Sequence, residues 1–206
     1  MQFSKPLLLL CLLLYGTDLL AGEQHYLNVH FLYGSKPLKK YRDTEQEWFG
    51  GLLGGHVGIE GDSNRIASFM PAGSFHLLAK KNDRHSRWAT HDRRAFYGLF
   101  GTPPDSVKYS IIRIPVSAAQ YQQFKEIVAK YQKNTPYDYA FVGMRCGAAA
   151  SDILGQLGIL PDYSVQKTSV KVFYPALLRK RLLKMARSNH WIVTTRNGTV
   201  RRKWEK

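Results

Sequence analysis

The feature that most constrains this chain is a run of small and apolar residues that begins at a cysteine. Residues 148–157 have helical spacing, and stepping back along one face from Leu157 through Ile153 and Ala150 reaches Cys146. The pattern predicts a helix whose first turn contains Cys146 on its buried side. The alanines at its start allow such a helix to lie close against a sheet.

A position at a helix N-terminus gives Cys146 a physical reason to be reactive. Unpaired backbone N–H groups and the positive end of the helix dipole favour thiolate over thiol, which predicts a pKa lowered toward the working range. The same N–H groups can hold the oxyanion of an acyl-transfer intermediate. The alternative is a buried, inert cysteine that packs as a small hydrophobic side chain.

The N-terminal segment predicts export. Residues 1–21 contain Lys5, a nearly unbroken apolar core and a cleavage site near Ala21 or Gly22, which is the pattern of a secretory signal peptide. The apolar core is too short to cross a bilayer, and no later stretch is long and apolar enough to do so. We therefore expect a periplasmic or secreted protein in which residues 22–206 form a single domain.

Export also isolates Cys146. The other of the 2 cysteines, Cys11, lies within the predicted signal peptide, so the mature protein cannot form an intramolecular disulfide. An unpaired cysteine in an oxidising compartment is a liability unless it is buried or used. This context favours a functional thiol.

The net charge constrains the partner. Lys and Arg number 30 against 15 Asp and Glu, which gives a formal net charge of +15. An exported protein with this charge is expected to meet an anionic envelope polymer such as peptidoglycan, or a phospholipid surface, and we do not expect nucleic acid as its partner. We expect no cofactor, and no metal because the 7 histidines lack a ligand spacing such as His-x-x-x-His.

A second stretch supplies a candidate base. The run 55–60, GHVGIE, is followed by turn residues and by another apolar run, 65–69, which predicts a β-hairpin with His56 at the beginning of its first strand. A histidine in a strand is more often structural than catalytic. Paired with a cysteine at a helix start, it becomes half of a nucleophile and base arrangement.

The remaining patterns predict a mixture of strands and helices. Alternating apolar residues predict strands at 25–33 and 108–116. Ser117 with Gln120 forms a capping box that starts a helix over 117–133.

Three further segments have basic or turn-rich patterns. Residues 70–104 lack periodicity and are rich in Lys and Arg, which predicts either a flap beside the site or a solvated surface loop. Residues 173–188 predict a basic amphipathic helix that either packs on the domain with a solvated charged face or contacts a membrane surface. Arg196-Asn197-Gly198 then predicts the turn of a C-terminal hairpin.

Three motifs together resemble the permuted branch of the NlpC/P60 papain-like superfamily, which includes YiiX-like and lecithin:retinol acyltransferase-like proteins. They are the His-Val-Gly-Ile strand at His56, the run PYDYAF at 136–141 and the helix-leading Cys146. The histidine precedes the cysteine, as in that branch, and the resemblance covers roughly residues 27–157. It implies an α+β, permuted papain-like (NlpC/P60) fold in which an antiparallel half-barrel sheet packs against the nucleophile-bearing helix.

The resemblance also implies roles for individual residues. Cys146 would be the nucleophile and His56 the general base of a thiol mechanism on amide or ester bonds. Relatives place a third polar residue on the next strand to orient the imidazole. The matching position here is Ser68, with Glu60 and His76 as alternatives. The candidate substrate-binding residues are Tyr137, Tyr139 and Trp88.

Three functions are consistent with these patterns. The first is a secreted cysteine hydrolase that cleaves amide bonds in peptidoglycan peptides or related envelope substrates. The second is a lipid acyl hydrolase or acyltransferase, whose phospholipid headgroups would suit the basic segments. The third is a non-catalytic, basic envelope-binding module in which the thiol is ordinary.

Overall fold

The structure is a computed structural model and describes residues 24–61, 64–74 and 76–206. All the candidate site residues lie within these ranges. The predicted signal peptide, residues 1–21, lies outside the described residues.

Strands make one large sheet and two small ones in this part of the chain. The strands are β1 (His25–Leu32), β2 (Ser35–Pro37), β3 (His56–Glu60), β4 (Ile66–Pro71), β5 (His76–Leu78), β6 (Ser86–His91), β7 (Tyr109–Val116), β8 (Ala140–Val142), β9 (Ile192–Arg196) and β10 (Arg202–Trp204). The large sheet has the order β6-β4-β3-β1-β7-β9, and all its neighbours are antiparallel. β10 pairs antiparallel with β2, and β5 pairs parallel with β8.

Five α-helices lie in the described part of the chain, and local sequence signals mark the start of several of them. They are α1 (Arg93–Tyr97), α2 (Ala118–Lys133), α3 (Cys146–Gln156), α4 (Val165–Lys171) and α5 (Pro175–Ser188). The Asp92 side chain accepts a hydrogen bond from the Ala95 N–H at the start of α1, and the predicted capping box starts α2. Pro175 occupies the first turn of α5, where its missing N–H costs nothing.

The large sheet has a core on each face. On one face, α3 packs against β3 and β4, α2 against β1 and β6, and α5 against β7 and β9. Strand alternation sends Val57 and Ile59 of β3 into the core that α3 shares, whereas Gly58 faces Phe96 of α1 on the other side. His56 also contacts Phe96. The two faces of β3 therefore meet different helices.

The structure confirms a mixed α+β fold with a large antiparallel sheet. β3 and β4 pair antiparallel across the predicted turn, with Ile59 opposite Ala67. The strands predicted at 25–33 and 108–116 are β1 and β7, which pair along their full length.

The predicted C-terminal hairpin is wrong. β9 adds to the edge of the large sheet beside β7, and β10 pairs with β2 instead of with β9. Gly198 lies directly against Trp204, because a Cβ there would be 2.1 Å from the Trp204 ring. Pairing with β7 and with β2 is therefore favoured over the local hairpin that the turn residues predict.

The prediction of an irregular flap at 70–104 is wrong in part, since the segment contains β5, β6 and α1. β6 is an edge strand of which only Trp88 is buried, so it shows little alternation. The segment covers one end of the sheet and supplies Phe96 to the core.

The predicted basic helix is α5, but its charges do not all face solvent. The Arg179 side chain is buried, forms an ion pair with Glu205 and lies 3.8 Å over the Tyr33 ring. It also donates to the Lys206 carbonyl. Within the described ranges, none of the helices has both the length and the apolarity needed to span a membrane.

Arg202 anchors the C-terminal strand to a loop near the start of the chain. Its Nε donates to Ser35 Oγ at 2.8 Å, its Nη1 to Glu45 Oε2 at 2.7 Å and its Nη2 to the Gln46 carbonyl. The guanidinium also lies 3.7 Å over the Trp48 ring. This single buried side chain fixes the segment that carries Trp48.

We expect Arg202→Lys to lower the free energy of unfolding by about 3 kcal/mol, because an ammonium group cannot replace a buried guanidinium fork. Urea denaturation measures the change. Arg201→Lys is the matched control: Arg201 pairs with the same Glu45, at 3.4 Å, but its side chain is 55% exposed. The control should cost less than about 0.5 kcal/mol, and equal losses in the two variants would contradict the assignment.

Candidate active site

Cys146 is the first residue of α3, as the helical pattern predicts, and only 3% of its surface is exposed. The loop before it is closed by a bridge between Tyr139 and Met144 and by a hydrogen bond from the Ala140 N–H to the Met144 carbonyl. This closure returns the chain so that Tyr139 lies beside the sulfur. The local sequence therefore positions both the cysteine and its aromatic neighbour.

The sulfur occupies a gap at the start of β3. The β3–β4 ladder pairs only Glu60 and Ile59 of β3, so the beginning of the strand has no β4 partner. Cys146 Sγ lies 3.8 Å from the Gly55 carbonyl oxygen, to which it can donate, and accepts a hydrogen bond from the Val57 N–H. The thiol thus contacts the backbone on both sides of His56.

Burial raises the pKa of the Cys146 thiol above its ordinary value. The positive charge of Arg145 and hydrogen bonds from Val57, Tyr139 and Gly147 act in the opposite direction but do not outweigh it. The expectation of a lowered pKa is therefore wrong. The helix N-terminus does favour the thiolate, but desolvation inside the gap has the larger effect.

His56 is also buried and neutral. Its ring centroid lies 5.5 Å from that of Phe96 and 6.0 Å from that of Phe100. Burial, followed by the positive charge of His91, lowers the pKa of His56 to about 3. Its Nε2 has no hydrogen-bond partner among the described residues.

The structure brings the two predicted catalytic residues to the same place but does not join them by a hydrogen bond among the described residues. Cys146 approaches β3 from the side of Val57, whereas the His56 ring packs on the side of Phe96. Direct contact requires the imidazole to turn toward the sulfur.

A pocket of about 370 Å³ opens beside this pair. His56, Tyr139 and Arg145 line it, together with the aromatic residues Trp48 and Phe100. The sulfur lies one layer deeper and contacts Tyr139. The pocket therefore reaches the imidazole directly and the thiol through one aromatic side chain.

Arg145 is the cation of the pocket. Its guanidinium lies 5.3 Å over the Phe173 ring and 5.6 Å over the rings of Phe141 and Tyr174. The buried Nε and Nη1 atoms have no hydrogen-bond partner among the described residues. Aromatic rings therefore surround the guanidinium, and these two donors are buried.

None of the three candidates for the orienting residue contacts His56 in this arrangement. The Ser68 hydroxyl is buried without a hydrogen-bond partner among the described residues. The Glu60 carboxylate accepts from Arg93, at 2.9 Å, and contacts His30, at 3.1 Å. His76 is hydrogen-bonded to Asp138. The Ser68 hydroxyl therefore makes no hydrogen bond to His56 among the described residues, and its orienting role stays a prediction.

Of the three candidate substrate-binding residues, only Tyr139 lines the pocket. Trp88 is buried in the core, 5.9 Å from the Phe69 ring centroid. Tyr137 is 7% exposed and its hydroxyl reaches Asp152 at 3.5 Å. Trp88 and Tyr137 belong to the core that packs between the sheet and the helices, and their role in substrate binding stays a prediction.

Sequence reasoning missed Arg145, Trp48 and Phe100. Arg145 could have been found from the sequence, since it directly precedes the cysteine. No sequence pattern indicates Trp48 or Phe100, because they come from loops that only the tertiary fold brings to the pocket.

Comparison with protein-family models, with curated proteins and with solved structures finds no match.

The buried, neutral His56 predicts acid-sensitive stability. Its folded pKa is about 3 and its ordinary value is 6.5, so its contribution is fully present above pH 6.5 and is lost as the pH falls toward 3. A shift of this size corresponds to at most about 5 kcal/mol. We expect His56→Gln to flatten the decline of unfolding free energy over this range.

Glu60 also makes stability depend on pH, so wild type must be compared with His56→Gln at each pH. Burial opposes the shift, but hydrogen bonds from His30 and Arg93 lower the pKa of Glu60 to about 2, so acid also removes that contribution. The difference between wild type and His56→Gln isolates the histidine. If the difference in unfolding free energy between wild type and His56→Gln did not change with pH, His56 would not be buried as described.

The pH dependence of alkylation tests the environment of the thiol. We expect the rate of Cys146 alkylation by iodoacetamide to rise with an apparent pKa above the ordinary value of 9.0. Arg145→Gln should move this midpoint higher because it removes a positive charge from the thiolate. Arg187→Gln, an exposed arginine on α5, is the matched control. A midpoint below 9.0 in the wild type would contradict the buried environment.

Proposed function

We propose that this protein is an exported cysteine hydrolase that cleaves amide bonds, with peptidoglycan peptides or related anionic envelope substrates as its substrate class. The observation that carries the proposal is the 3.8 Å contact between Cys146 Sγ and the carbonyl of Gly55, the residue before His56, beside a pocket that His56 lines. A thiol at a helix start and an imidazole at the start of the adjacent strand are the groups that acyl transfer needs.

The fold forms part of the same proposal. In the chain, the histidine strand precedes the cysteine helix, and α3 packs against β3 and β4. A permuted papain-like (NlpC/P60) arrangement, with the antiparallel sheet as a half-barrel, accounts for this order. Export by the segment 1–21 to the periplasm or the exterior would bring the protein to its substrate.

In the proposed reaction, Cys146 Sγ attacks the carbonyl carbon of the scissile amide while its proton passes to the His56 imidazole. The carbonyl oxygen becomes an oxyanion that accepts hydrogen bonds from N–H groups at the start of α3, such as that of Gly147. Collapse of this intermediate breaks the C–N bond, and the leaving amine takes the proton from His56.

Water completes the cycle. It attacks the thioester carbon and gives a proton to His56, and the C–S bond then breaks to release a carboxylic acid. The proton on His56 returns to the sulfur. The thiol and the neutral imidazole are thus restored, and no further reactant is consumed.

The resting state of the pair is neutral. Burial raises the pKa of Cys146 and lowers that of His56, so proton transfer accompanies the attack instead of preceding it. A neutral thiol is also a poor target for oxidants, which suits an exported protein. The imidazole turns toward the sulfur in the substrate complex.

Arg145 gives the proposal its preference for anionic substrates. Arg145 lines the pocket, and a guanidinium can pair with a carboxylate in bidentate geometry. Peptidoglycan peptides carry free carboxylates. The aromatic walls, including Trp48 and Phe100, would cover the apolar parts of the peptide.

A lipid acyl hydrolase or acyltransferase is the second candidate. The observation in its favour is a neighbouring groove of about 360 Å³ that combines Leu53 and Leu177 with Lys180 and Lys203. Leu53 is 68% exposed. Exposed leucines beside lysines are suited to a phospholipid surface.

The deciding experiment incubates the mature chain separately with muropeptides and with phospholipid vesicles and identifies the products by mass spectrometry. We expect new amines and carboxylates from muropeptides, at least about a thousandfold less with Cys146→Ala and about a hundredfold less with His56→Gln. His190→Gln, at an exposed histidine, should retain full activity. Circular dichroism confirms that each variant is folded.

Each other outcome selects a different function. Fatty acids or lysophospholipids released only from vesicles would replace the amidase with the lipid enzyme. No Cys146-dependent product from either substrate, with binding to both surfaces retained, would establish the non-catalytic module.

A further inference from the structure

A second cluster of chemically active side chains, separate from Cys146, comes from the start of β5 and from the loop between β5 and β6. The imidazoles of His76 and His85 stack with ring centroids 4.3 Å apart. Asp83 lies beside them, with carboxylate oxygens 3.1 Å from His85 Nε2 and 3.9 Å from His76 Nε2. The three ligand atoms lie within 4.8 Å of one another.

Both histidines are oriented by hydrogen bonds from their other ring nitrogen. His76 Nδ1 lies 2.6 Å from Asp138 Oδ2, and His85 Nδ1 lies 3.1 Å from the Ser74 carbonyl oxygen. A carbonyl oxygen only accepts, so His85 carries its proton on Nδ1. A carboxylate favours the same arrangement at His76. In the neutral rings, this arrangement leaves each Nε2 with a lone pair available to a metal ion on the side of Asp83.

We propose that His76 Nε2, His85 Nε2 and the Asp83 carboxylate form a binding site for a divalent transition-metal ion, with Zn²⁺ as the best fit. Two imidazoles and one carboxylate are a common zinc ligand set. Ligating histidines typically donate their second nitrogen to a carboxylate or a backbone carbonyl, and Asp138 and Ser74 are placed to accept here. This proposal replaces the sequence-based expectation that the chain binds no metal.

The site needs only a small adjustment to close around an ion. Bonds of about 2.0–2.1 Å in tetrahedral geometry place ligand atoms roughly 3.3 Å apart. His76 is nearly buried and held by Asp138, whereas the Asp83 side chain is 55% exposed and can move toward an ion at little cost. That exposure also gives the ion a path of entry and leaves its fourth position to water.

Lys80 competes with the proposed metal ion for the Asp83 carboxylate. Its Nζ lies 2.9 Å from Asp83 Oδ2, on an oxygen that the metal would take. Ion binding therefore displaces an exposed ion pair, which costs little. Removing the lysine charge should strengthen metal binding, whereas a purely structural role for the cluster predicts no such effect.

The bound ion would tie the histidine segment to the chain that leads into Cys146. Besides contacting His76, Asp138 accepts from the backbone N–H groups of Lys80 and His85, at 3.0 Å and 2.8 Å. Asp138 directly precedes Tyr139, which contacts the sulfur. The ion would act as a structural clamp, independent of the proposed hydrolase chemistry.

The test uses the mature chain purified without a histidine tag, stripped with a chelator and titrated with Zn²⁺ in a calorimeter. We expect binding of one equivalent. Asp83→Asn and His85→Gln should each weaken binding at least about tenfold, and Asp138→Asn by about 10–100-fold through the orientation of His76. Lys80→Met should strengthen it, and this direction remains informative if Asp138→Asn does not fold.

Two controls locate the ion. Co²⁺ should give the visible absorption of a four-coordinate site in the wild type and in Cys146→Ala, but not in a His76→Gln, His85→Gln double variant. His190→Gln, remote and exposed, should bind like the wild type. Equal affinity in the wild type and the double variant, or loss of the signal in Cys146→Ala, would overturn the proposal.

Discussion

The contact between the first turn of α3 and the start of β3 is the constraint on which the site depends. It exists because the β3–β4 ladder stops at Ile59, which leaves the Gly55 carbonyl and the Val57 N–H to meet a sulfur instead of another strand. The thiol is buried in this gap, and the nearby imidazole is buried against Phe96 and Phe100. Two neutral groups are the result, because desolvation of a charge outweighs a helix dipole and one arginine.

The second half of the chain completes the walls around that contact. Gly147 lets α3 approach the start of α5, since a Cβ there would lie 3.1 Å from the Pro175 Cα. Past α5 and β9, β10 pairs with β2, and Arg202 of β10 holds the loop that carries Trp48. The pocket therefore depends on packing far along the chain from either predicted catalytic residue.

The segment leading into Cys146 has a different environment at each of two adjacent residues. Asp138 faces the stacked histidines, and Tyr139 faces the sulfur. Neighbouring side chains of an extended backbone point in opposite directions, so one short stretch serves both places. A metal ion at the histidines would fix the position of Tyr139 through Asp138 without contacting the reacting groups.

The sequence by itself determined the local elements: the helix that starts at Cys146, the capped helix α2 and the hairpin that starts at His56, because caps, turns and periodicity act between near neighbours. The tertiary structure alone decided the charge states and the surroundings. It buried the thiol, placed Trp88 in the core and joined β10 to β2, and it left the Ser68 hydroxyl without a hydrogen-bond partner among the described residues. Desolvation and strand pairing depend on residues distant in the chain, which no local pattern records.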